Sequence, residues 1–149
     1  MKHSFSSRPP SPFQWSERYV LGDPGVDDQH RQLLELAGLL HAALLSGRGA
    51  DVVSAALQAL GEYVDIHFRD EEELFVRIGS PDTAAHRAQH TALRQEVAEL
   101  DRDLEYGFDA LPDKLVGWVE HRLVPHMMVD DQRALQSARQ RPFGYGGGR

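Results

Sequence analysis

The chain of 149 residues contains no cysteine. That removes disulfide staples, iron–sulfur clusters and thiolate zinc sites together, so any metal must be held by nitrogen and oxygen. No apolar run approaches the roughly 18 residues that a membrane span needs. The first residues also lack the order of a secretory signal. No basic run occurs, and the formal net charge is −7, which argues against nucleic acid as a partner. Period-two alternation of the kind that marks strands is missing too. The expectation is a soluble cytoplasmic protein with neither a membrane nor a nucleic-acid partner. By length it is one domain with a sizeable core.

What the chain does hold is histidine, eight in all. Five of them fall on helical faces that should be sealed from water. Leu57, Leu60, Val64, His67, Glu71, Leu74 and Ile78 step by three and four, as the seam of a packed helix does. His86, His90, Leu93, Val97, Leu100 and Leu104 repeat the rhythm one helix later. Histidine and glutamate are poor core residues unless a partner satisfies them.

Punctuation divides the chain into four helices. The first runs from about Asp27, its expected N-cap, to Leu45, and buries His30, Leu33, Leu34, Ala37, Leu40, His41 and Leu44. A second runs from near Asp51 to Gly79, where a left-handed cap is expected. Ser80 is expected to cap the third, with Pro81 at its first helical position, and that helix runs towards Gly107. The fourth starts between Asp109 and Pro112 and reaches about Gln140, with a kink expected at Pro125. Short links between amphipathic helices predict an all-α, up-down-up-down four-helix bundle over residues 13–140. Residues 1–12, with His3, read as an irregular arm, and 141–149 as a flexible tail. Phe13 and Trp15 are expected to pack across one end of the domain.

His67 and Glu71 are four apart, as are His86 and His90, so each pair shares a helix face. His30 on the first helix and His126 on the fourth let every helix contribute. Imidazole with carboxylate and no sulfur suits iron, manganese or zinc. On the fourth helix, spacing alone favours Asp130 as a carboxylate ligand, four residues after His126. His41 lies three turns beyond His30, about 16 Å along the axis, too far for the same site, and reads as a bundle-end or second-site residue. His121, five residues before His126, reads as a surface residue or one just behind the ligands, and a shift of register would make it a rival ligand. Asp70, Glu72 and Glu73 read as a solvated face.

In order along the chain come Phe13-Gln14-Trp15, Asp27-Asp28-Gln29-His30, His67-Phe68-Arg69-Asp70-Glu71-Glu72, His86 with His90, and His126 with Asp131. This succession resembles the bacterial hemerythrins over roughly residues 13 to 135. The step of fifteen residues from Glu71 to His86 fits the family pattern. The resemblance implies two iron ions with a bridging oxo or hydroxo group. His86, His90 and His126 would hold one iron, and His30 with His67 the other. Glu71 and Asp131 would bridge them, the family pattern choosing Asp131 over Asp130. Dioxygen would bind reversibly at the open position of the two-histidine iron, with Leu123 and Val129 lining a dry pocket. The implied role is an oxygen carrier, store or delivery protein, or a sensor acting with a separate partner. A second reading is a di-iron enzyme reducing peroxide, nitric oxide or nitrite, and a third is iron handling or repair. Five histidines to two carboxylates favour binding over enzymatic turnover. Arg122 stands where the family usually has tryptophan, and Trp118 lies one turn earlier.

Overall fold

The computed structural model describes residues 11–107 and 109–139. The expected tail and most of the expected arm, including His3, lie outside the described residues. Among the described residues there is no strand, and four helical rods build an up-down-up-down bundle. The first three are α1 (Pro24–Leu45), α2 (Ala50–Arg77) and α3 (Thr83–Leu104). The fourth rod begins with α4 (Leu111–Trp118) and ends with α5 (Gln132–Arg139). Between them lie two π-helical turns, Val119–Leu123 and His126–Asp131. Helix α1 packs on α2 and α4, and α3 packs on the same two, so the rods form a closed ring around one interior. No helix among the described residues is long and apolar enough to cross a membrane.

The interior divides into two apolar regions. The larger contains Leu33, Leu34, Leu60, Val64, Phe68, Leu93 and Leu123, all nearly or fully closed to solvent. The smaller consists of Phe75, Ala134 and Leu135, with Leu21 and Leu74 against them. Phe68 is stacked on the His90 ring and Phe75 stands edge-on to the His86 ring, so each region touches the histidines. The polar side chains thus have hydrocarbon on both sides, where an uncompensated charge is expensive.

Several helix ends differ from expectation. Helix α1 begins at Pro24, and its cap is Asp23, whose carboxylate accepts the Val26 N–H at 3.0 Å. Asp27 instead accepts the N–H groups of Leu21 at 2.8 Å and Gly22 at 3.1 Å, folding the lead-in onto the helix start. Gly79 does take the left-handed conformation, with φ of +70°. Ser80 does not cap α3, which starts three residues later at Thr83. Its hydroxyl is buried and donates to the Ala134 carbonyl at 3.0 Å, tying the α2–α3 link to α5. Ile78, expected in the seam, is 37% exposed, because the helix has ended before it.

The lead-in packs as the sequence suggests. The Phe13 ring lies 4.9 Å from the His41 ring, and a Cβ on Gly38 would come within 3.2 Å of the Phe13 Cβ. His41 is thereby occupied at the lead-in contact and takes no part in the histidine cluster. At Pro125 the chain keeps helical angles, φ −60° and ψ −37°. The missing N–H is absorbed by a change of register, since the Val124 N–H reaches back five residues to the Val119 carbonyl.

Candidate metal centre

His30 comes from α1, His67 and Glu71 from α2, His86 and His90 from α3, and His126 and Asp131 from one π turn of the fourth rod. All seven are buried, with His126 the most accessible at 4%. They form two overlapping groups whose donor atoms lie within 4.8 Å of one another. One group is His30, His67, Glu71 and Asp131; the other is His86, His90, His126, Glu71 and Asp131.

The two carboxylates belong to both groups, and each divides its oxygens between them. Glu71 Oε2 lies 3.1 Å from His67 Nε2 and 3.5 Å from His30 Nε2. Its other oxygen, Oε1, lies 3.0 Å from His86 Nε2 and 3.2 Å from His90 Nε2. Asp131 Oδ2 sits 2.8 Å from His30 Nε2. Its Oδ1 contacts His86 Nε2 and lies 3.1 Å from His126 Nε2. A carboxylate spanning two sets of imidazoles in this way has the shape of a bridge between two cations.

Whether the donors fit metal ions can be judged from their hydrogen bonding. His30 Nε2, His67 Nε2, Glu71 Oε2 and Asp131 Oδ2 are buried and crowd together at 2.8 to 3.5 Å, yet none is aligned to hydrogen-bond with another. Buried polar atoms are rarely left so, and these are one group's inward donors. In the other group, His90 Nε2 faces His126 Nε2 at 3.1 Å, so two ring nitrogens compete for one position. Both features are what a shared cation would relieve. The residues therefore fit a pair of metal ions held by nitrogen and oxygen.

The outward nitrogens of three rings are also engaged. Gln29 donates its amide N–H to Asp70 at 2.8 Å, which leaves its carbonyl oxygen to accept from His67 Nδ1 at 2.7 Å. Glu72 accepts from His90 Nδ1 at 3.1 Å, and Asp130 from His126 Nδ1 at 3.1 Å. Protonating Nδ1 in this way leaves the Nε2 lone pair turned inward, the tautomer a metal needs.

The electrostatics follow from the same contacts. Burial opposes charge on His30 and His86, but Asp131 and Glu71 outweigh it and raise both to about 9. His126 is raised as well, again with burial opposing and Asp131 prevailing. Glu71 is held well below the usual carboxylate range and Asp131 is also lowered, burial opposing in both and the surrounding histidines prevailing.

The structure separates the two aspartates on the fourth rod. Asp131 is fully buried between the histidine groups, while Asp130 is partly exposed and meets only the far side of the His126 ring. In an α-helix the residue four after His126 would share its face. The π turn His126–Asp131 adds a residue to that turn and brings the fifth round instead.

Other expected positions differ. Leu123 is buried in the large core, but Val129 is 51% exposed. It lines an open cleft with Ala92, Pro125 and Asp130, because it lies on the outer side of the turn that aims His126 inward. Val129 therefore does not line a dry interior pocket. Arg122 points away from the cluster, gripping Glu96 at 2.7 and 2.9 Å, and Trp118 is buried in the core. His121 is exposed, as expected. Glu72 is not simply solvated, since its side chain is only 16% exposed and holds His90. Gln29 and Phe68, present in the motifs, and Phe75 take roles that the sequence does not assign them: Gln29 holds His67, and the two phenylalanines pack on His90 and His86. Gln29 and Glu72 neighbour ligand-type residues in sequence, and that adjacency was the available signal.

Residues 22–137 match a family model described as the hemerythrin HHE cation binding domain. A bacteriohemerythrin of Stenotrophomonas maltophilia is 32% identical over 118 residues, 79% of this chain and 76% of its own. One from Methylococcus capsulatus is 31% identical over 107 residues, 72% of this chain and 81% of its own. A hemerythrin-like protein of Naegleria gruberi is 27% identical over 124 residues, covering 83% and 92%.

Proposed function

The chain belongs to the hemerythrin family, and on that footing we propose that its buried centre holds two iron ions and binds dioxygen reversibly. The observation that carries this reading is the division of the Glu71 and Asp131 oxygens between His30 with His67 and His86 with His126. Under it, His30 and His67 would hold one iron and His86, His90 and His126 the other, with Glu71 and Asp131 shared between them. Bound there as a ferrous pair, iron would supply the two electrons that reversible uptake of dioxygen needs. The two-histidine side has fewer protein donors, so an oxygen molecule would find room on that side.

The protein's own part is positioning and exclusion of water. Gln29, Glu72 and Asp130 fix three ring orientations through Nδ1. Phe68, Phe75, Met127 and Leu123 keep the surroundings apolar, which slows proton-assisted oxidation. Five histidines against two carboxylates make an imidazole-rich donor set suited to binding rather than turnover. The relatives named bacteriohemerythrin support the same reading.

Metal analysis and visible absorption of the purified protein, reduced and then aerated, test this directly. The expected result is about two irons per chain, with bands that appear on aeration and fade when oxygen is removed. Irreversible oxidation accompanied by peroxide consumption would favour an enzyme, and zinc at one per chain would contradict both.

A further inference from the structure

His90 differs from the other ring with an outward carboxylate. Among the described residues, Asp130, which holds His126, makes no arginine ion pair, whereas Glu72 is itself held by two. Arg94 Nη2 donates to Glu72 Oε2 at 3.3 Å, the same oxygen that accepts His90 Nδ1. Arg87 Nε stands 3.6 Å from the other oxygen. Arg94 is anchored at its own far side, where Nε donates to Asp65 at 3.1 Å. Its guanidinium also covers the Phe68 ring at 5.4 Å from the centroid. That ring lies flat on His90, 4.0 Å away and 3° from parallel. One arginine thus reaches the same imidazole by two routes, through its hydrogen bond and through its stacking face.

From this we infer that Arg94 is a positioning residue of the metal centre, clamping Glu72 and Phe68 so that both the orientation and the electron donation of His90 are fixed from the protein surface. The inference rests on the metal reading above for its redox consequence, but the clamp itself exists without metal.

The sign follows from hydrogen-bond chemistry. A carboxylate that draws on Nδ1–H leaves the imidazole more electron-rich and favours the oxidised metal. Arg94 shares that carboxylate and moderates the pull. Removing the arginine frees Glu72 to pull harder, while removing the Glu72 charge abolishes the pull. Lysine at position 94 keeps the charge but lacks the planar fork that serves Asp65 and Glu72 together.

Two measurements on the full chain test the clamp. In metal-free protein, nitrogen NMR of the His90 ring should show a single Nδ1-protonated tautomer; Arg94→Leu should keep that tautomer and shift the Nδ1 signal as its bond to Glu72 strengthens, whereas Glu72→Ala should mix the tautomers. In iron-loaded protein, Arg94→Leu should lower the midpoint potential, Glu72→Gln should raise it, and Arg94→Lys should stay near the parent value. Iron affinity should fall roughly tenfold for Arg94→Leu and Glu72→Gln. Unchanged His90 ring signals in Arg94→Leu, or potentials moving the same way in Arg94→Leu and Glu72→Gln, would overturn the inference. If Arg94→Leu does not fold, Asp65→Ala decides: it frees the far side of Arg94, so it must change the His90 ring signals, and unchanged signals would overturn the inference. Failure to bind iron would sink the metal reading while the NMR result still stands for or against the clamp.

Discussion

At the scale of residues, the centre turns on which aspartate faces inward. Asp131→Ala should reduce metal binding from two ions to at most one, because it removes an oxygen from each donor group. Asp130→Ala should keep two ions and weaken binding by about tenfold, as loss of a partner behind a ligand does. Isothermal titration of the metal-free variants separates the two, and the reverse order would reverse the assignment. Spacing made the pairs His67–Glu71 and His86–His90 legible, since four residues return to one helical face. The same rule points to Asp130, whereas the chain buries Asp131 among the histidines, because the rule presumes an α-helix where the chain makes a π turn. Only the family resemblance indicated Asp131. The Glu72–His90 bond joins residues 18 apart on different helices, a distance at which local periodicity is silent.

At the scale of elements, the fourth rod is where function departs from regular geometry. Pro125 lies between the two π turns and cannot donate to the turn behind it. Pro125→Ala would restore that donor and allow an α register. Metal-free protein should then gain stability, of order 1 kcal/mol, while metal binding weakens as Asp131 rotates out of place. Urea unfolding and metal titration check the two halves. Unchanged affinity would mean that the π turns hold without proline. A simpler element is the start of α1, where Asp23→Ala should cost about 1 kcal/mol, while the caps of the other helices make no comparable side-chain bond. Glycine and proline punctuation located every helix to within a few residues. It could not tell which of two nearby acids caps α1, since Asp23 and Asp27 both suit a helix start. Ser80 was misread for a related reason: its hydroxyl serves a carbonyl in α5, a contact between segments distant in sequence.

At the scale of the whole molecule, folding and metal binding are coupled through the buried charges. His30 and His86 are raised from 6.5 to about 9, so in metal-free protein the folded state holds their protons more tightly than the unfolded chain does. Their contribution to stability is full below about pH 6.5 and is lost as pH rises through about 9. Glu71 and Asp131 are lowered, so their contribution is present above their ordinary values and is lost as pH falls through the depressed ones. Metal-free protein should therefore weaken on both the acid and the alkaline side, which urea unfolding across pH will register. Ligation needs neutral imidazole, so metal binding should release protons at pH 7 and tighten as pH rises towards 9. The bundle and its convergence on one polar layer were legible because four amphipathic seams carried histidine at matching heights. The sidedness of the surroundings was not, since Val129 sits next to ligands in sequence yet outside the bundle. The central claim is that two cations sit between the histidine groups, joined by Glu71 and Asp131. Anomalous diffraction at the iron edge, from crystals of protein loaded without oxygen, tests it most directly. Two adjacent peaks with those carboxylates between them are the predicted result; a single peak, or iron bound away from the five imidazoles, would contradict it.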